Sequence, residues 1–361
     1  MTDEKEIKPL IRSSHEENLG DDYFSWDPPS VIRAQAKNLK PSCTPSESRK
    51  TEFSPNAIVI SHTRKYATVL HQGEERLCLL DDGLQEGNES LLAPGDEVYV
   101  EEKSGEWFIR WIAPRRTKIS KPDSHTSNFE QVLAANVDVL VIVSAAAKPP
   151  FREGLVDRFL ILAQRGGVAP VLCVNKMDLC DSPPEGARFF ENLGIPTVYT
   201  SCVTKQGIAD LLSHLKNRTT VFVGHSGVGK SSLINALGSA VLAKTGELSE
   251  RDQGRHVTTL ARLYLIPEHQ VRIIDTPGLR HLGVGQIRPE ELSWYFPDLA
   301  EIALQCRFRD CTHRHEPDCA VLAAVKESKI HPQRYQSYLR LLSSLVEQKV
   351  PPHRSPEKRK R

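Results

Sequence analysis

The sequence has no excess of either charge, with 47 Lys+Arg against 46 Asp+Glu in 361 residues. The overall field therefore selects neither a nucleic acid nor a membrane surface as partner. Long apolar runs are also missing. The longest, residues 137–147, is interrupted by Asp138 and Ser144 and falls short of the roughly 18 residues a spanning helix needs, so no membrane association is expected. Cysteine is sparse, at 8 residues, too few over this length for a disulfide scaffold. The opening Met1-Thr2-Asp3-Glu4-Lys5-Glu6 is charged where a secretory leader would be apolar, and a cytoplasmic protein is expected. What is present is ordinary globular composition, 39% hydrophobic and 26% charged. The length exceeds what one core usually organises, which predicts two or three domains.

Residues 1–56 are rich in Ser, Pro and alternating charge and lack periodicity, so a disordered tail is expected. From Ala57 short β-rich runs follow at 58–60, 66–70, 77–80, 98–100 and 107–112, punctuated by Gly73, Gly83 and Pro94-Gly95-Asp96. Five short strands within 57–120 fit a small OB-type β-barrel, with a small β-sandwich as the competing arrangement. Over 121–285 buried-type strands (137–143, 170–174, 197–200, 220–223, 261–265 and 271–274) alternate with helical stretches. That rhythm predicts an α/β domain, a parallel sheet with helices on both faces. Residues 286–345 turn helical around a Cys/His cluster, and 346–361 form a basic tail ending Lys358-Arg359-Lys360-Arg361.

Gly224-His225-Ser226-Gly227-Val228-Gly229-Lys230-Ser231 lies between a predicted strand and the helical run beginning at Ser232, the context that gives a GxxxxGK[ST] match its meaning. Backbone N–H groups over Gly224, Gly227, Val228, Gly229, Lys230, Ser231 and Ser232 are expected to converge on phosphate oxygens. Lys230 would bridge the β- and γ-phosphates, and Ser231 would ligate Mg²⁺. Asn175-Lys176-Met177-Asp178 closes the strand 170–174, where open α/β sheets place ligands. The Asp178 carboxylate suits guanine N1–H and the 2-amino group, Asn175 suits O6/N7, and the Lys176 stem would pack on the ring. Beside a P-loop this selects GTP over ATP. In Thr200-Ser201-Cys202, which closes the next strand, a backbone N–H is expected at guanine O6, although such a turn alone is equally a plain strand end.

Asp275-Thr276-Pro277-Gly278 follows an apolar strand, with Asp275 expected to hold Mg²⁺ through water and Gly278 N–H to meet the γ-phosphate. Upstream, Gly254-Arg255-His256-Val257-Thr258-Thr259 ends a polar, Gly-containing stretch that fits a switch segment, with Thr258 favoured over Thr259 as a second Mg²⁺ ligand. Leu279 stands where a water-positioning Gln would be expected. His256 is the best-placed substitute, with Lys230 the second catalytic candidate. Gly227 replaces the Asn that recruits potassium in some GTPases. The base-specifying elements precede the phosphate loop in the chain, an order explained by circular permutation.

Cys306, Cys311, His313 and Cys319 read C-x4-C-x-H-x5-C, a complete tetrahedral shell for one structural Zn²⁺, with His315 as the competing imidazole. Arg307, Arg309, Arg314, Lys326, Lys329, Arg334 and Arg340 surround it. Basic side chains on a metal-stapled platform suit RNA phosphates, although Asp310, Glu316, Asp318 and Glu327 offset them and a solvated charged face fits equally.

Taken together, Asn175-Lys176-Met177-Asp178 ahead of residues 224–231, then Gly254-Arg255-His256, Asp275-Thr276-Pro277-Gly278 and Cys306-Arg307-Phe308-Arg309-Asp310-Cys311-Thr312-His313 resemble the RsgA (YjeQ) family of circularly permuted GTPases. The likeness covers about residues 57–345 and departs at the long N-terminal segment, at Val257 and at Cys202. It implies three parts, an OB-type barrel, a circularly permuted P-loop GTPase domain and a helical zinc-binding domain. It also implies a monomer that binds GTP and GDP with Mg²⁺, assists late maturation of the 30S ribosomal subunit on its 16S rRNA, is stimulated by that subunit, and leaves after hydrolysis. A non-catalytic RNA-binding scaffold that uses GTP structurally is the alternative, and a GTPase acting on metal delivery or another RNA is a third.

Overall fold

The computed structural model describes residues 11–13, 24–26, 53–84, 87–123, 129–238, 261–276 and 287–349. The chain divides into two compact units, Met1–Gly285 and Gln286–Arg361. Inside the segment expected to be a disordered tail, β1 (Ile11–Ser13) and β2 (Phe24–Trp26) pair antiparallel, with Arg12 opposite Ser25. Composition alone does not signal so short a ladder. Of the expected basic tail, only the end of the last helix lies within the described residues.

Five strands close a barrel: β3 (Ala57–His62), β4 (Tyr66–His71), β5 (Glu74–Leu80), β6 (Glu97–Lys103) and β7 (Glu106–Ile112), ordered β3-β4-β5-β7-β6. β5 and β7 run parallel and β3 closes on β6, an OB-type path that sets aside the sandwich alternative. Alternation buries Val59, Val69, Cys78, Val98, Val100 and Ile109 inside. The Asn56 amide prolongs the closing seam, donating to Val100 O at 2.9 Å and accepting from Val100 N at 2.8 Å.

A hairpin not anticipated from the sequence, β8 (Lys118–Pro122) with β9 (Glu130–Ala135), spans the expected domain boundary at 120/121. Polar Lys118, Ser120 and Lys121 and the terminal Pro122 hide the single inward side chain, Ile119, which is buried. The junction beside it is built around Arg115. Its guanidinium meets both oxygens of the buried Asp96, each at 2.8 Å, and Glu89 Oε1 at 2.8 Å. It also donates to Ser90 O at 2.9 Å and Leu91 O at 3.2 Å. Burial works against the charged guanidinium and is outweighed by Asp96 and Glu89, so its pKa rises. Gly95 (φ +93°) is needed here, because a Cβ would lie 2.2 Å from Ala135 O and 3.0 Å from Ile274 Cδ1. Farther along, Arg262 grips the Glu75 carboxylate of β5 at 2.8 and 3.0 Å.

The central sheet takes up β10 (Val139–Ala145), β11 (Ala169–Asn175), β12 (Thr197–Tyr199), β13 (Thr219–Val223), β14 (Arg262–Ile266) and β15 (Val271–Asp275), ordered β12-β11-β10-β13-β15-β14. Among the described residues four helices cover it: α1 (Glu153–Gly166), α2 (Glu185–Asn192), α3 (Ile208–Leu215) and α4 (Lys230–Leu237). β10 is buried throughout, as expected of a strand sandwiched between helix layers. Leu140 and Ile142 join the cluster of α1 and α2 (Val156, Phe159, Phe190), whereas Val139, Val141 and Val143 join that of α3 and α4 (Leu211, Leu215, Leu233, Leu237). The all-parallel expectation fails at one edge, where β14 runs antiparallel to β15. Only the single turn at Pro267–His269 and Gln270 separate them, too short for a crossover.

The second unit contains a 3₁₀ segment (Pro289–Tyr295), α5 (Pro297–Ala303), α6 (Ala320–Lys326) and α7 (Pro332–Lys349). Leu292, Phe296, Leu299, Val321, Tyr338, Leu341 and Leu342 are buried in it. Arg334, expected on the basic platform, is instead inside, bonded to both Asp298 oxygens (3.1 and 3.2 Å) and stacked 4.3 Å over Phe296. Arg307, Arg309, Arg314, Lys326, Lys329 and Arg340 are exposed. Among the described residues no helix is long and apolar enough to cross a membrane.

Candidate functional site

Sheet growth reverses between β10 and β13, and such a switch point opens a crevice at the carboxyl ends of the strands. The loop 224–229 crosses it between β13 and α4. Gly224 (φ +147°) leaves no room for a side chain, since a Cβ would meet Val143 O at 2.1 Å. Gly229 (φ +95°) is confined by the Asn175 side chain, whose Nδ2 a Cβ would meet at 2.3 Å, whereas at Gly227 (φ +80°) a Cβ would make only ordinary contact with Pro149 Cδ at 4.0 Å and glycine is required by conformation alone. The Lys230 ammonium is held over the loop, donating to Gly224 O at 2.8 Å and His225 O at 2.9 Å. Val228 is buried, and Ser231 and Ser232 are exposed in the first turn of α4, where the helix dipole favours an anion.

Asn175 ends β11 with 2% exposure. Its Nδ2 donates to Val228 O of the loop at 3.0 Å, and its Oδ1 accepts from Thr200 Oγ1 at 3.2 Å and Cys202 Sγ at 3.8 Å. One buried amide thus joins three segments from three strands. Thr200, buried completely, also accepts Met177 N–H at 3.1 Å, and its hydroxyl lies 3.3 Å from Cys173 Sγ. Burial pushes the Cys173 thiol up to about 12 and raises that of Cys202, so both stay protonated donors. Sequence reasoning assigned Asn175 to the base alone and gave Thr200 no task. A strand-terminal Thr ahead of Ser201 was the available signal.

Asp178 is exposed, and its Oδ1 accepts from Ser201 Oγ at 2.5 Å. Ser201 Oγ in turn accepts the N–H groups of Val203 and Thr204, each at 3.2 Å. Ser201 N–H goes to Gln206 O at 3.0 Å. Lys176 (φ +65°) stretches its ammonium to Lys148 O at 2.6 Å. Asp275 is exposed at the end of β15, while the Thr276 hydroxyl is buried and has no hydrogen-bond partner among the described residues. Gly254, Arg255, His256, Thr258, Thr259, Gly278 and Leu279 lie outside the described residues.

In the second unit the ligand atoms of Cys306, Cys311, His313 and Cys319 all fall within 4.8 Å of one another. Cys306 Sγ is 3.8 Å from Cys319 Sγ, and His313 Nδ1 is 3.5 Å from each. Tetrahedral zinc, with Zn–S of about 2.3 Å and Zn–N of about 2.0–2.1 Å, sets S···S edges of about 3.8 Å and S···N edges of about 3.5 Å. The residues fit the ion. A disulfide, at about 2.05 Å, does not. Burial lowers His313 to about 4, which keeps the imidazole neutral as a ligand must be. Cys319 caps α6, its sulfur accepting Leu322 N–H at 3.5 Å. His315 is exposed.

The Glu316 carboxylate braces the same loop, accepting from Thr312 N (2.7 Å), Thr312 Oγ1 (2.5 Å), Arg314 N (2.8 Å) and His315 N (3.1 Å). Burial works to raise its pKa, and the Thr312 hydroxyl with the backbone amides outweighs that and holds it well below the usual carboxylate range. A depressed carboxyl contributes stability that is present above its unfolded pKa, about 4.3, and is lost as pH falls. Glu316→Gln is expected to cost about 1–3 kcal/mol at neutral pH. In urea denaturation followed across pH, the gap from wild type should narrow below about pH 4.

Base-side loops from early strands and a phosphate loop from a later one thus meet at a single crevice, and that order of parts is the mark of a circularly permuted P-loop GTPase. The chain belongs to the RsgA GTPase family. The family described as RsgA GTPase matches residues 112–285. A Saccharophagus degradans protein named "Small ribosomal subunit biogenesis GTPase RsgA" is 35% identical, over 87% of this chain and 94% of its own length. A Bacillus velezensis protein of the same name is 33% identical, over 82% and 99%. Among solved structures, YjeQ from Thermotoga maritima matches with a TM-score of 0.61 at 30% identity, covering 81% of this chain and 98% of that one. YloQ, described as a circularly permuted GTPase, also matches at 0.61, with 27% identity and 84% and 99% coverage.

Proposed function

We propose that the chain hydrolyses GTP to GDP and phosphate during late maturation of the small ribosomal subunit, binding 16S rRNA as a cytoplasmic monomer and leaving after hydrolysis. The observation that carries the nucleotide assignment is the Asn175 amide, which binds the phosphate loop and the Thr200-Ser201-Cys202 turn to the Asp178 strand end. Asp178, aimed by Ser201, accepts from guanine N1–H and the 2-amino group. Because Gln206 O engages Ser201 N–H, the amide that serves O6 is that of Cys202. Lys176 covers the ring, and Asn175 offers its remaining hydrogen to N7. Amides of residues 227–232 take the phosphates, and Lys230 turns from its loop carbonyls to the β- and γ-oxygens. Ser231 and Thr258, or Thr259 in its place, would hold Mg²⁺ with Asp275 through water, and the ion supplies charge neutralisation for the leaving diphosphate. Gly278 N–H meets the γ-phosphate and His256 orients water.

The second unit carries one structural zinc, and its exposed Arg307, Arg309 and Arg314 present cations to RNA phosphates beside the contribution of the barrel. The family relationship and the names of the relatives support the ribosomal assignment. GTP turnover measured with and without purified 30S subunits tests it. Turnover should be slow alone and stimulated by 30S, abolished by Lys230→Ala, and lowered about 100-fold in the stimulated reaction by His256→Ala. Full stimulated turnover in His256→Ala would remove that residue from water positioning. Absence of turnover with 30S present would leave the non-catalytic scaffold.

A further inference from the structure

The metal loop is held from behind by two tyrosines of one helix. Tyr335 Oη donates to His313 O at 2.7 Å and Tyr338 Oη donates to Thr312 O at 2.9 Å. The pair is spaced i, i+3 on α7, so both hydroxyls leave the same helix face and meet consecutive carbonyls. Tyr338 is wholly buried, its ring edge-on to Phe296 (5.5 Å) and 6.0 Å from the His313 imidazole. His313 itself has φ +57°, a left-handed backbone that needs its surroundings to maintain it.

This matters because His313 presents Nδ1, the ring nitrogen nearest the main chain, to the two sulfurs at 3.5 Å. With so short a reach, the backbone angles at residue 313 decide where the nitrogen points. The loop holds a second imidazole two residues on, that of His315, which is exposed, while the His315 backbone N–H is tied to Glu316 at 3.1 Å. We infer that Tyr335 and Tyr338 are positioning residues for the metal site: by holding the carbonyls of His313 and Thr312 they make His313, rather than His315, the fourth ligand, and they set the affinity for the ion. The inference rests on the zinc assignment and is independent of the nucleotide chemistry.

The test uses the full-length protein stripped of metal. Zinc affinity is measured by competition with a chromophoric chelator, and the ligand set is read from the visible absorption of Co²⁺ placed in the site. The variants are Tyr335→Phe, Tyr338→Phe and the double, which keep both rings, each with and without His315→Ala. Removal of such supporting hydrogen bonds should lower zinc affinity about 10–100-fold in the double variant and alter its cobalt spectrum. His315→Ala should change nothing alone and weaken binding further in the double. The single variants give the same reading if the double is poorly folded. Wild-type affinity and spectrum in the double variant overturn the inference, as does a loss of urea stability that is equal with and without metal while affinity is unchanged. A wild-type protein that takes up neither metal overturns the zinc assignment itself, an outcome distinct from wild-type uptake with indifferent variants.

Discussion

Asp178→Asn is expected to lower GTP affinity about 100- to 1,000-fold while raising relative affinity for xanthosine triphosphate. In the proposed site the carboxylate accepts from two guanine donors, and hydrogen bonds to a charged group contribute about 1.5–3 kcal/mol each. An amide retains one weak acceptor and turns its NH₂ toward a donor, so a net loss of about 3–4 kcal/mol follows, at about 1.4 kcal/mol per tenfold. Xanthine carries a carbonyl in place of the 2-amino group, which accepts from that NH₂. Ser201 Oγ holds the present carboxylate at 2.5 Å, so the side chain is aimed before nucleotide arrives. Equilibrium titration with GTP, ATP and xanthosine triphosphate decides the matter. Equal ATP and GTP affinity in the wild type would falsify the assignment.

Arg115→Met should destabilise the first unit by about 3–5 kcal/mol, because it strands the Asp96 carboxylate in a site with no solvent access. The cost comes from the uncompensated charge more than from the lost attraction. Asp96→Asn added to Arg115→Met should therefore recover part of the loss, a coupling that a double-mutant cycle in urea isolates. Arg262 likewise reaches both Glu75 oxygens, but Glu75 is exposed and Arg262 only half-buried, and breaking that pair should cost under about 1 kcal/mol. Equal effects at the two positions would contradict the role given to burial.

Where local pattern and final environment agree, the sequence is readable. The alternation in β4 and β6, the apolar run 139–143 of β10, the glycines at 224, 227 and 229 and the spacing of the three cysteines each announce their structure. Legibility ends where a residue's neighbour comes from a distant segment. Arg334 looks like one more surface cation until Asp298 and Phe296 enclose it. Asn175 reads as a base contact alone until Val228 and Thr200 are seen to engage both ends of its amide as well. The direction of β14 depends on a four-residue connection, and Ile119 is the single apolar clue in an otherwise polar strand. Tyr335 and Tyr338 read as ordinary core aromatics of a helix, and their hydroxyls acquire meaning only from the carbonyls opposite.

The strand order also fixes a schedule for synthesis. A chain emerging from its N-terminus releases β10, β11 and β12 in succession, each beside the last, so one half of the sheet can assemble as it appears. The other edge of β10 stays bare until β13 arrives, and β15 has nowhere to dock before that. Asp178 and Ser201 are consequently in place while Asn175 still lacks the Val228 carbonyl it will hold. On the proposed site, a polypeptide halted ahead of residue 224 has the base side and no phosphate loop. Capture of GTP thus reports that the middle of the sheet has been filled, and truncation products of the nascent chain should leave the nucleotide pool untouched.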